Sequence, residues 1–154
     1  MSEPQGTSPV PAEALPHFVP VIVEAVDDLK GIDLLVLDLR GLASFTDYLV
    51  ICTGSSDRHV QAVVDGIRDQ LRAATEKPLH TEGYEQGTWV LVDYVDYVVN
   101  VFTREMREFY QLERVWRDAP AIVGERPELP AQDDDTAPGT ADEAESAAAD
   151  AVDG

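Results

Sequence analysis

The sequence predicts an α/β domain built as a mixed β-sheet flanked by helices. Two observations carry that expectation. Short, almost unbroken apolar runs alternate along the chain with longer segments whose apolar residues recur at helical spacing. Two of the runs, TWVLVDY (88–94) and DYVVNVF (96–102), are separated by little more than Val95, which calls for a tight antiparallel hairpin. The predicted order is helix, two strands, helix, two or three strands, helix.

Each element has its own reason. Phe18, Ile22, Ala25, Val26 and Leu29 form one apolar stripe, with Glu24, Asp27 and Asp28 elsewhere on the surface. Pro20 fits the first turn of that helix, and Gly31 is the expected stop. DLLVLDL (33–39), between Gly31 and Gly41, reads as a buried strand, and DYLVICTG (47–54) as a second. GSSD (54–57) then opens the clearest helix, with Val60, Val63, Val64, Ile67 and Leu71 on one face. Ser55 or Ser56 is its expected N-cap, and Asp57 complements the helix dipole. KPLHTEGYEQG (77–87) reads as a loop with a short strand near Leu79–Thr81. Thr103 caps a last helix, REMREFYQLERVWR, whose Met106, Phe109, Leu112 and Trp116 suggest one packed face.

Charge narrows the function. Of 154 residues, 30 are Asp or Glu and 11 are Lys or Arg, a net charge of −19. A surface of that sign opposes direct nucleic-acid recognition and an anionic membrane. No apolar run approaches the ~20 residues that span a bilayer, and the start lacks the basic and apolar regions of a secretory signal. A soluble, cytoplasmic protein is expected. The charge is uneven: residues 1–117 hold 19 acids and 10 bases, whereas residues 118–154 hold 11 acids and the single base Arg126. The expected organisation is a disordered leader over 1–16, a domain over 17–120, and a disordered acidic tail over 121–154.

Few residues offer chemistry. Cys52 is the one cysteine, which excludes an intramolecular disulfide and a Cys-rich zinc site. It lies inside an apolar strand, where cysteine behaves as a small hydrophobe. His17, His59 and His80 share no metal-ligand spacing, so no metal and no cofactor are expected. The TGSS turn (53–56) between a strand and a helix is a place where amides hold phosphate. It lacks the lysine of a P-loop and the glycines of a dinucleotide fingerprint. A Gly-Ser turn also occurs in nucleotidyltransferase folds, but no DxD follows to hold two metal ions. A nucleotidyltransferase-like enzyme or nucleotide-binding protein using Gly54–Ser55 is the alternative reading. Asp93 and Asp96 flank the hairpin turn, where aspartate also serves local hydrogen bonds. Among the aromatics, Trp89 and Tyr94 sit at the two ends of one strand, beside a polar loop and a turn. They are the two expected to be accessible, as anchors for a protein partner.

Four ordered segments carry a family resemblance: DLKGIDLLVLDLRG, TDYLVICTGSSDRHVQA, TEGYEQGTWVLVDYVDYVVNVF and REFYQLERVW. Over about residues 17–120 the chain resembles the ribosomal silencing factor (Iojap) family. The resemblance implies an α/β fold related in architecture to nucleotidyltransferases, without their catalytic carboxylates or activity. It implies a translational repressor, not an enzyme, that binds the large ribosomal subunit through its fourteenth ribosomal protein and sterically blocks the small subunit. A homodimer is implied for the free protein. Matched residue by residue, the partner-binding positions are Trp89 and Tyr94, then Pro78 and Leu79, then Glu82 of the Glu82–Gly83 pair. Family members often have leucine where this chain has Tyr94, and histidine where it has Asn100. The acidic residues Glu82, Glu85, Asp93 and Asp96 complement a basic protein partner and repel ribosomal RNA.

Overall fold

The computed structural model describes residues 15–125. Of the leader expected over 1–16, residues 1–14 lie outside the described residues, as does the tail from residue 126 onward. Ten elements follow in order: α1 (Phe18–Asp28), β1 (Ile32–Asp38), β2 (Tyr48–Gly54), α2 (Asp57–Ala73), β3 (His80–Glu82), β4 (Trp89–Asp93), β5 (Tyr97–Thr103), α3 (Arg104–Tyr110), α4 (Leu112–Val115) and β6 (Ala121–Val123). One six-stranded sheet runs in the order β3-β4-β5-β2-β1-β6. β2 and β5 are parallel, and the other four neighbouring pairs are antiparallel, so the sheet is mixed as predicted. The parallel pair lies at the centre and is buried along almost its whole length. Burial on both faces is why these two strands read as unbroken apolar runs.

The helix stripes bury as the periodicity requires. Ile22, Ala25 and Val26 of α1 join Val60, Val63, Val64, Ile67 and Leu71 of α2 over one face of the sheet. Phe18 stacks on Tyr97 and Tyr97 on Tyr94, with ring centroids 3.7 Å and 4.8 Å apart, which fixes α1 to β5. Ser56 caps α2 by accepting from the His59 amide at 3.1 Å. The opposite face packs Leu35, Leu37, Leu39, Leu49, Ile51, Leu91 and Phe102 beneath Leu112 and Trp116.

Three details differ from expectation. The left-handed residue that ends α1 is Lys30, with φ 62, and not Gly31. The amides of Lys30 and Gly31 return to the carbonyls of Asp27 and Val26, at 3.2 Å and 2.8 Å. Gly31 is needed for space, because a Cβ there would lie 2.7 Å from Val26 Cγ1 and 2.8 Å from Cys52 Sγ. The last helix is broken into α3 and α4 by Gln111, which adopts φ 50. That residue resets the helical phase: Leu112 and Trp116 are buried, but Phe109 is 73% exposed and does not join the expected packed face. The turn brings Glu113 under Arg107, whose guanidinium is buried and donates to Glu113 Oε2 (3.1 Å), Asp33 O (2.7 Å) and Thr53 Oγ1 (2.8 Å). Finally, residues 121–123, expected in the tail, form β6 and pair with β1 through Val36↔Val123 and Leu37↔Ala121. Three residues are too short to show a strand period; their pairing is set by an edge far away in sequence.

Candidate functional site

β4 decides which side chains meet. Side chains alternate across a strand, so Trp89, Leu91 and Asp93 share one face while Val90, Val92 and Tyr94 share the other. The pairings His80↔Asp93 and Glu82↔Leu91 put His80 and Glu82 on the Trp89 side. Leu91 is the buried floor of that face, and Trp89, His80, Glu82 and Asp93 stand half-buried around it. His80 Nε2 meets Glu82 Oε2 along β3. The expected residues Trp89, Glu82 and Asp93 therefore do come together.

Trp89 is held from three sides. Its Nε1–H donates to Asn100 Oδ1 at 2.9 Å. Its ring stacks on Phe102 at 5.1 Å and tilts against Tyr110 at 4.6 Å. Asn100 is itself buried, and its Nδ2 points to Val50 O at 3.4 Å. With the indole donor satisfied inside the domain, the ring offers a partner its π surface and not a hydrogen bond. The Glu82–Gly83 pair has a separate reason. Gly83 has φ +82, and a Cβ there would sit 2.2 Å from the Trp89 carbonyl oxygen. Only glycine lets the loop fold over the backbone of Trp89.

Tyr94 is not where an accessible anchor belongs. It is 7% exposed, faces α1 and α2, and stacks on Tyr97. Its hydroxyl is buried without a hydrogen-bond partner among the described residues, and burial pushes its ionisation up to about 12. The expected surface contact at Tyr94 is corrected to a core position. The solvent-facing apolar residue at this turn is Val95, which the sequence reading passed over. Val95 is 55% exposed and has φ 76, a backbone conformation disfavoured for a β-branched residue. The Asp96 amide donates back to Tyr94 O at 2.9 Å, closing a three-residue turn around it. Leu79 is 69% exposed and Pro78 is half-buried. Asp93 ties this end together: its carbonyl accepts from the Leu79 amide and its carboxylate from the Val95 amide, both at 2.7 Å. Asp96 is exposed on the turn. Trp89 and Asp93 are four residues apart, so the face runs about 14 Å from the indole to the Leu79–Val95 rim.

The Gly54–Ser55 turn is occupied from within. The Ser55 amide donates to His59 Nδ1 at 2.8 Å, and His59 Nε2 donates to Leu29 O at 2.8 Å. The amides of Arg58, His59 and Val60 donate to Asp57 Oδ1, Ser56 Oγ and Ser56 O. These donors, which a phosphate would require, already have partners. Loop 83–87 closes beside them: Gln61 Nε2 donates to Tyr84 O at 2.7 Å and the Tyr84 hydroxyl to Asp65 Oδ2 at 3.0 Å. Cys52 is fully buried, and desolvation pushes its thiol up to about 11, well away from a reactive thiolate. His17 meets Glu76, His80 meets Glu82, and His59 serves the turn. Among the described residues no three His, Cys, Asp or Glu side chains are grouped to hold a metal ion, and no helix is long and apolar enough to cross a membrane.

Comparison with known proteins agrees with the resemblance in the sequence. The profile of a family described as Ribosomal silencing factor during starvation matches residues 12–152. The ribosomal silencing factor of Bacillus subtilis is 41% identical over 100 residues, which cover 65% of this chain and 85% of that protein. Its counterpart in Halalkalibacterium halodurans is 38% identical over 106 residues, covering 69% and 91%. A crystal structure of a Chromobacterium violaceum protein superposes with a TM-score of 0.65 at 32% identity, covering 75% of this chain and 91% of that one.

Proposed function

The chain belongs to the ribosomal silencing factor family, and from that premise we propose a translational repressor that acts by occupancy and catalyses nothing. It binds the large ribosomal subunit in the cytoplasm through the fourteenth large-subunit protein, and its bulk blocks joining of the small subunit. The observation that carries the assignment of the contact face is Trp89, half-buried with its indole N–H satisfied, on a sheet face rimmed by Glu82 and Asp93. A pre-fixed aromatic ring loses little conformational freedom on binding, and an acidic rim fits a basic protein. Leu79, Pro78, Val95 and Asp96 extend the contact at the far end of the face. In the free state this same face serves self-association, so that dimer and docked complex exclude each other.

The test is subunit joining with purified components. Added full-length chain lowers the fraction of joined ribosomes. Trp89→Ala requires about thirtyfold more protein for the same effect, the consequence of losing ~2 kcal/mol at a central anchor. Joining that stays unchanged at saturating protein overturns the proposal.

A further inference from the structure

Resting on that reading, we propose that the docking face continues off the sheet on to α3, where Trp89, Tyr110 and Phe109 form a ridge that receives an arginine or lysine side chain of the basic partner. The rings touch in sequence: Trp89 and Tyr110 have centroids 4.6 Å apart, and Tyr110 and Phe109 lie 4.9 Å apart at an interplanar angle of 89°. Exposure rises along the line, from half-buried Trp89 and Tyr110 to Phe109 at 73%. Phe109 therefore spends most of its apolar surface on water, which packing within the domain does not explain and coverage by a partner does.

The surroundings select a cation. Ring faces carry negative π density, which attracts guanidinium or ammonium. Glu105 lies one helical turn before Phe109 on the same side of α3, and both are exposed. A long basic side chain laid across Phe109 brings its charge to the Glu105 carboxylate. The other exposed charges of the helix, Arg104 and Glu108, are spaced four apart and offset from the Phe109–Glu105 line. Described residues 15–125 hold 19 acids and 10 bases, so the long-range field also favours a basic partner. Continuity with Trp89 makes the ridge part of one contact.

The experiment measures equilibrium binding of the full-length chain to purified large ribosomal subunits. Phe109→Ala is expected to bind about tenfold more weakly than wild type. Phe109→Leu keeps the apolar volume without the ring and is expected to lose as much; Phe109→Tyr keeps the ring and is expected to bind like wild type. All three are expected to melt with the wild-type protein, because the side chain is exposed. Phe109→Ala or Phe109→Leu binding at wild-type affinity, or Phe109→Tyr binding as weakly as Phe109→Ala, overturns the ridge. If Trp89→Ala still weakens binding in that case, the docking reading stands without it. Wild type that fails to bind large subunits overturns both.

Discussion

Trp89 and Tyr94 are aromatic residues that bracket β4, the first opening the strand and the second following its last residue, and they do opposite things. Trp89 rises half-buried on the face shared with Glu82 and Asp93, its donor pinned to Asn100. Tyr94 is sealed beneath α1 and α2, stacked on Tyr97. They are five positions apart, an odd number, and strand alternation sends an odd spacing to opposite faces. Burial is then assigned by what covers each face. Two long amphipathic helices cover the Tyr94 side, whereas the short α3 lies over β5 and β2 and meets Trp89 through Tyr110. One side of the sheet is sealed by two helices, and the β3–β4 part of the other side stays partly open.

Paired substitutions break or sharpen that contrast. Tyr94→Ala opens a cavity in the core and is expected to cost about 3–5 kcal/mol of stability. The folded fraction is expected to dock nearly as well as wild type. Trp89→Ala is expected to reverse the pattern, with the thirtyfold loss in docking and a smaller loss of stability. Denaturant midpoints and subunit binding on the same two proteins decide this; equal stability losses would erase the distinction between the faces.

Gly83→Ala comes next. The added Cβ meets the Trp89 carbonyl, and the residue must keep a left-handed backbone. A loss of about 1–3 kcal/mol is expected, together with weaker docking, since the displaced backbone is that of the anchor. Tryptophan fluorescence of the folded variant reports the displacement.

Smaller effects test the Tyr94 side. Tyr94→Phe removes a buried hydroxyl without a partner, and stability is expected to change by no more than about 1 kcal/mol at neutral pH. Alkaline pH separates the two proteins. Burial holds the folded Tyr94 hydroxyl protonated to about 12, against an ordinary value of 10.0. The unfolded chain therefore releases this proton first, and wild-type stability falls as pH rises from about 10 to about 12. Tyr97, raised in the same direction by burial and by its hydrogen bond to Glu76, adds to the fall. Tyr94→Phe is expected to flatten part of that slope in chemical denaturation series.

The smallest expected effect is at the turn. Val95→Gly relieves a backbone strained for valine but loosens the unfolded chain, for a net gain of about 1 kcal/mol. Docking is expected to weaken a few-fold, because an exposed apolar contact is lost. A variant that gains stability and docks like wild type would remove Val95 from the rim.

Much of this was legible in the residues. The stripes Phe18–Ile22–Val26 and Val60–Val63–Ile67–Leu71 bury as their spacing requires, because an amphipathic helix has one way to hide such a stripe. The hairpin followed from two apolar runs with almost nothing between them. The site was legible in part. Trp89, Glu82 and Asp93 meet as expected, but Asn100 and Tyr110, which position the indole, gave no signal because each contacts it across the sheet or from another element. The break at Gln111 carries neither glycine nor proline, so the continuous helix read through it, and Phe109 was assigned to a core it does not enter.

The sequence by itself determined most of the elements, their amphipathic faces and the acidity of the chain, because periodicity and charge are local properties. Tertiary structure alone decided that β6 closes the sheet beside β1, that Tyr94 is covered, and that Trp89 is left half open. Those outcomes depend on which helix is long enough to lie over which face, and on pairings between residues far apart in the chain, and neither is written in a neighbouring residue.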